Sequence, residues 1–202
     1  DAALLTQLAK LDVEEVQSRM RLGHRPYMAW LYGKPAAYGW VATDSAYIGE
    51  LGVSIILPQG NRYLWDFVTL PAWRGKGVYP RLLQAILAAE LAEARRFWII
   101  AAPENRPSAA GIGKAGFTSV AHLSLRREGM PGLIAIEPGD RVHAAAALMR
   151  VPLLEAEASQ PMALAPCWRC AIDAHAKGQE QLDAACWPVN SKADLVPVCS
   201  CT

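Results

Sequence analysis

The sequence predicts an α/β (α+β) fold. A mixed central sheet is expected, antiparallel except for one parallel pair, flanked by helices and followed by a small cysteine-containing C-terminal extension. Three observations carry this. The run Tyr63-Leu-Trp-Asp-Phe-Val-Thr-Leu70 is aromatic and β-branched, as strands are. It leads through Arg74-Gly-Lys-Gly-Val-Tyr79 into an apolar-periodic helix and then into a second apolar run, Phe97-Trp-Ile-Ile-Ala-Ala102, which is the pattern of a βαβ unit. Short strands separated by tight turns precede this unit, as in an antiparallel meander. Beyond Ile136 the composition changes, and all five cysteines lie after residue 166.

Taken in order, Ala2 to Lys10 is helical, with Leu4, Leu5, Leu8 and Leu11 on one face. Asp12-Val-Glu-Glu15 is a capping-box pattern that starts a second helix running to about Arg21. Val13, Val16 and Met20 are its expected buried stripe, and Gly23 its stop. Tyr27 to Tyr32 and Ala36 to Ala42 read as a hairpin about Gly33-Lys-Pro. A short strand is expected at Gly52 to Ile56. Pro71 closes the Tyr63–Leu70 strand, because it has no N–H for a ladder.

Val78 to Arg95 is a long helix with Leu82, Leu83, Ile86, Leu87 and Leu91 at helical spacing. Ser108 is expected to cap a short helix through Ala115, ended by Gly116. Phe117 to Leu125 and Gly132 to Ile136 are the last two expected strands. A helix from Arg141 to Met149, with Asp140 as cap, and a linker from Leu153 to Pro166 follow. Residues 1–137 are thus read as one domain and 138–202 as its extension.

With 52% hydrophobic and 19% charged residues, the chain can build a sizeable core. Its net charge of +1 argues against a nucleic-acid surface built on bulk charge. No apolar run approaches the roughly 20 residues of a membrane helix, so no membrane partner is expected. The chain begins at Asp1 rather than Met, which is read as a missing start. Five cysteines crowded at one end do not resemble a disulfide framework, and the expectation is a cytoplasmic protein.

The βαβ turn is where chemistry should sit. A strand, a glycine-rich turn and a helix aim backbone N–H groups and a positive helix end at a phosphate. The dinucleotide fingerprint is not met, since Gly75 and Gly77 lack the third glycine, and no Gly-Lys-Ser/Thr loop occurs. By itself the turn is equally an ordinary strand-to-helix connection. The order of elements, the loop Arg74, Gly75, Lys76, Gly77, Val78, and the later Asn105 and Gly116-Phe117 at their spacing together resemble the GNAT superfamily of acyl-CoA-dependent N-acetyltransferases. The resemblance covers roughly residues 1–137.

The resemblance implies a coenzyme A site where the parallel pair splays. The N–H groups of Gly75 to Tyr79 would hold the pyrophosphate, with Arg74 and Lys76 supplying positive charge. The backbone of Val68, Thr69 and Leu70 would pair with the pantetheine arm, and Asn105 and Ser108 would also line the cofactor. Acetyl-CoA is then the expected co-substrate and a small-molecule amine the expected acceptor; a homodimer is compatible with it. Two positions depart from the family. Tyr79 stands where the loop has Gly or Ala, and its side chain either points away from the phosphates or walls the site. Ile112 stands where the family has the Tyr that protonates the departing thiolate, which leaves that proton to water or another group. A non-catalytic acyl-CoA-binding module whose extension docks a partner is the alternative.

An ammonium acceptor must lose a proton before it attacks. Asp66, expected inside the apolar strand and facing the same way as Val68, is the first candidate to accept that proton. A salt bridge is its alternative role. Glu50 is the second candidate. His24 and His122 read as rim or surface histidines. Tyr27, Trp30, Tyr32, Tyr38, Trp40 and Trp65 are expected to be mostly core. Cys167-Trp-Arg-Cys170 and Cys199-Ser-Cys201 could supply four thiolates to a structural zinc ion, with Cys186 or His175 replacing one. Disulfides, or small buried thiols packed with Trp168, Trp187 and Val198, are the other readings.

Overall fold

The computed structural model describes residues 2–48, 52–102, 105–125 and 131–155, together with the backbone of 196–201. Helices α1 (Ala2–Ala9) and α2 (Val13–Arg21) precede strands β1 (Arg25–Leu31), β2 (Lys34–Ala42), β3 (Ser45–Ile48), β4 (Val53–Ile56) and β5 (Asn61–Thr69). A 3₁₀ turn (Pro71–Trp73) leads to α3 (Val78–Glu90), β6 (Arg96–Ile100), α4 (Arg106–Lys114), β7 (Thr118–Leu125) and β8 (Pro131–Ala135). Then come α5 (Asp140–Met149), β9 (Leu153–Leu154) and β10 (Val196–Cys201).

The main sheet runs β1-β2-β5-β6-β10-β7-β8-β9, and β3–β4 is a separate hairpin. β5 and β6 are parallel over Asn61–Leu64 and Arg96–Ile99. This is the mixed α/β arrangement expected, with two additions. A two-residue parallel contact joins β8 to β9, and β10 lies between β6 and β7, antiparallel to both. Phe117–Leu125 and Gly132–Ile136 were expected to be the last strands. β10 comes from far along the chain, and its place depends on the open edges of β6 and β7, which no local pattern announces. The sheet therefore runs across the expected boundary at 137, and residues beyond it contribute α5, β9 and β10.

The sheet has two covered faces. On one, Val41, Leu64, Phe97 and Ile99 pack under Leu82, Leu83 and Ile86 of α3 and Ile112 of α4. On the other, Tyr38 and Trp40 pack against Leu5 of α1 and Val16 of α2. Further along this second face, Tyr63, Trp98, Leu123 and Leu133 meet the β3–β4 hairpin and α5.

Asp12 caps α2, accepting from the Glu15 N–H at 2.6 Å, but the expected stripe is narrower. Val16 is buried, whereas Val13 and Met20 are 51% and 38% exposed, because α1 covers a single row of α2. Trp30 and Tyr32 are likewise exposed rather than core, at 53% and 93%. Tyr32 and Gly33 both take positive φ (52° and 70°), which makes the tight turn whose twist suits a hairpin.

The α3 helix ends at Glu90, not Arg95. The N–H groups of Arg95 and Arg96 are taken by the Gly60 carbonyl at 2.9 and 3.2 Å, which pulls the chain out of the helix and into β6. Glu90 itself is 1% exposed. Its carboxylate accepts from Arg62 Nε at 2.6 Å, Tyr27 Oη at 2.6 Å and Arg25 Nη1 at 3.1 Å, tying α3 to β5 and β1.

Candidate functional site

The site region begins where the parallel pair parts. β5 and β6 are last paired at Leu64 and Ile99, yet β5 continues to pair with β2 as far as Thr69, opposite Ala37. A register shift separates the Tyr38–Val68 and Trp40–Trp65 pairs, so Asp66 and Phe67 together oppose Gly39, the two-against-one count of a β-bulge. Asp66 has φ +52°, a left-handed value that Asp tolerates better than most residues.

The bulge turns Asp66 out of the core that an alternating strand would have buried it in. Its side chain is 33% exposed and accepts from Arg19 Nη1 at 2.5 Å. Arg19 also donates through Nε to Glu15 at 2.8 Å, and its guanidinium lies 4.5 Å from the Trp65 ring centre and 5.2 Å from that of Trp40. Asp66 therefore faces α2, on the side where Val68 packs.

His24 is buried, not on a rim, at 7% exposure. It stands edge-on to Trp65 at 5.2 Å and donates from Nε2 to the Ser45 carbonyl at 3.0 Å. Burial, helped by the nearby Arg19 charge, holds its pKa below the ordinary histidine value despite that carbonyl. His122 is also held low by burial. Glu50 lies outside the described residues.

Past β5, Leu70 N–H donates to the Ala36 carbonyl at 2.9 Å on the β2 side. The Arg74 side chain folds back, Nε donating to the Thr69 carbonyl at 3.1 Å. Lys76 Nζ sits 5.0 Å over the Trp73 ring. Gly75 and Gly77 take φ of +73° and +71°, so the turn needs residues without a Cβ penalty. Gly77 is the N-cap of α3, and no side chain of the described residues caps that helix end. The turn thus presents backbone, and the positive end of a helix dipole, at the mouth of the β5–β6 opening.

Tyr79, in the first turn of α3, turns its side chain toward β5 and α4. Its ring packs 5.5 Å from Phe67 at 53°, and its hydroxyl lies 3.3 Å from Ser108 Oγ. Across the opening, Asn105 rather than Ser108 caps α4, its Oδ1 accepting from the Ser108 N–H at 3.2 Å. Asn105 accepts there because Arg106 and Pro107 already open the helix, with Pro107 in the first turn where no N–H is needed. Ile112 is 1% exposed, in the core beneath α3. A separate depression of about 510 Å³, lined by Gln59–Asn61 and Leu91–Arg96, lies at the opposite ends of β5 and β6.

Of the expected cofactor residues, the structure joins Arg74 to Thr69, Tyr79 to Ser108, and Ser108 to Asn105. The four-cysteine set lies only partly within the described residues. Cys199 and Cys201 lie in β10, at the level of Ile99 and Phe97 of β6, and Cys167 and Cys170 lie outside the described residues. Among the described residues no cluster of three or more metal-ligating side chains occurs, and no helix is long and apolar enough to cross a membrane. Two features were missed in the sequence. The Phe67–Tyr79 contact joins residues on separate elements, and the bulge at Asp66 carries no glycine to mark it.

The sequence model described as the acetyltransferase (GNAT) family matches residues 5–117. No curated protein matches the chain. Among solved structures, the chain is similar to aminoglycoside acetyltransferase AAC(6′)-Ib in complex with coenzyme A and kanamycin, at 21% identity over 59% of this chain and 73% of that one, with a TM-score of 0.45. It is similar to RimL, a ribosomal L7/L12 alpha-N-protein acetyltransferase, at 18% identity over 61% and 77%, with a TM-score of 0.48. It is also similar to the GNAT domain of S. lividans PAT, at 23% identity over 54% and 61%, with a TM-score of 0.43.

Proposed function

The chain belongs to the GNAT family of acetyltransferases, and from that premise we propose that it moves an acetyl group from acetyl-CoA to the amine of a small acceptor by direct attack in a ternary complex. The observation that carries the reading is the opening between β5 and β6, with the Arg74–Tyr79 turn at its mouth. The turn's backbone and the α3 dipole suit a pyrophosphate. The end of β5, unpaired with β6 beyond Leu64, suits an extended arm lying alongside it.

In this reading the acceptor nitrogen attacks the thioester carbonyl, the C–S bond breaks, and the sulfur leaves with the bonding electrons. Asp66, at the bulge and facing α2, receives the proton of the acceptor amine. Positioning of the two substrates supplies most of the rate. Zinc at the four cysteines is no part of this chemistry.

The test is thiol release from acetyl-CoA across a panel of amines, amino sugars and amino acids, beside calorimetric titration of acetyl-CoA. Binding with turnover on at least one acceptor is expected. Tight binding with no turnover on any acceptor would replace the enzyme with an acyl-CoA-binding module.

A further inference from the structure

Resting on the coenzyme A reading, we propose that the hydroxyls of Tyr79 and Ser108 form a polar contact for the pantetheine arm, which makes Tyr79 a positioning residue for the thioester. A glycine-rich turn has no evident use for a large phenol at its end. Two glycines elsewhere show that a place is built for it. A Cβ on Gly111 of α4 would fall 2.4 Å from Tyr79 Cδ1 and 2.9 Å from Cε1. A Cβ on Gly39 of β2 would fall 2.1 Å from Phe67 Cε1. Neither ring could hold its place over an alanine.

The two rings meet at 5.5 Å and reach from the bulge of β5 to α4, on the α3 side of the opening. They make an apolar floor beneath it. At the edge of that floor stand two hydroxyls, 3.3 Å apart, beside Asn105, the cap of α4.

The pantetheine arm is the part of coenzyme A that joins the pyrophosphate to the sulfur. Its methyl and methylene groups suit an apolar floor, but its two amides and its hydroxyl need hydrogen-bond partners once they leave water. The mutual bond with Tyr79 uses one of the three hydrogen-bonding positions of the Ser108 hydroxyl. Tyr79 is rooted in the turn read as the phosphate cradle and leans toward β5, along the path such an arm must take.

The experiment compares coenzyme A with adenosine 3′,5′-bisphosphate, which lacks the arm, by calorimetric titration of the full chain. In Tyr79→Phe and Ser108→Ala, coenzyme A binding should weaken about threefold to tenfold, the range for one neutral hydrogen bond, while the bisphosphate changes by less than about twofold. Gly111→Ala should give the same selective loss, because it displaces the Tyr79 ring and with it the hydroxyl, while removing no polar group. Unchanged coenzyme A affinity in both hydroxyl variants would overturn the proposal. So would equal losses for both ligands, which mark damage to the cradle. Tighter coenzyme A binding in Tyr79→Ala would overturn it too, marking the ring as a plug. Wild-type protein that binds neither ligand would instead remove the cofactor reading, and the inference with it.

Discussion

Arg19 and Asp66 are joined at 2.5 Å across the gap between α2 and the bulge of β5, with the Arg19 guanidinium over the rings of Trp40 and Trp65. This contact anchors α2 to the strand that opens the site, and it involves the residue proposed to take the amine's proton. Asp66→Asn keeps a residue that tolerates positive φ but removes the charge. Turnover should fall by about 100-fold or more, within the range that general bases contribute, with the KM for acetyl-CoA nearly unchanged. Steady-state kinetics checks this, and full activity would exclude Asp66 from proton transfer. A double-mutant cycle with Arg19→Met should give a coupling of about 0.5–1 kcal/mol for this partly exposed pair.

Gly77 holds φ +71°, and a Cβ there would lie 3.2 Å from Arg81 Nη1. Gly77→Asp adds a left-handed strain of about 1–2 kcal/mol and sets a negative charge where a phosphate is proposed to bind. Coenzyme A affinity should drop by at least about 100-fold, measured by calorimetry, with the fold retained by circular dichroism. Unchanged affinity would refute the loop assignment.

Glu90 should be the most costly buried charge to remove. Burial pushes its carboxyl pKa up, but hydrogen bonds from Tyr27, Arg62 and Arg25 outweigh it and hold the carboxyl below the ordinary value of 4.5. A depressed carboxyl stabilises the fold above the unfolded value and loses that contribution as pH falls through the lower folded value. The group's contribution should therefore be level above about pH 5.5 and decline below about 4.5. Glu90→Gln leaves Arg62, 5% exposed, without its buried partner, at about 3–5 kcal/mol. Urea unfolding at neutral and acid pH would show both the loss and a flatter acid limb.

His24 makes the same demand on protonation, although here the deprotonated form is the neutral one. Burial holds its pKa below 6.5, so the folded state binds fewer protons than the unfolded chain, and stability falls as pH drops below 6.5. The urea midpoint should be lower at about pH 5 than at about pH 7.5. His24→Gln should reduce that difference without abolishing it, since burial holds His122 low as well. A midpoint that does not change with pH would contradict the burial of both.

The elements around residues 63–117 were legible because their signals are local. Aromatic and β-branched runs make strands, Leu82, Leu83 and Ile86 repeat at helical spacing, and Gly75 and Gly77 mark a turn. The β3–β4 hairpin was half seen, because Ser45–Ile48 is too short to show a period. Asp66 illustrates the limit within the site. Strict alternation buries it, and a bulge with no glycine exposes it to Arg19, which lies far earlier in the chain. Ile112 was seen to lack a proton, but where a phenol does stand was settled by packing.

The chain's own pattern determined the fold class, the βαβ unit and the family, since these rest on periodicity, turn chemistry and motif order within short windows. The tertiary structure decided what joins distant residues. It put β10 between β6 and β7, set Arg19 against Asp66, and seated Phe67 and Tyr79 over Gly39 and Gly111. Those outcomes depend on which surfaces meet when the sheet and helices pack, and sequence spacing alone does not carry that information.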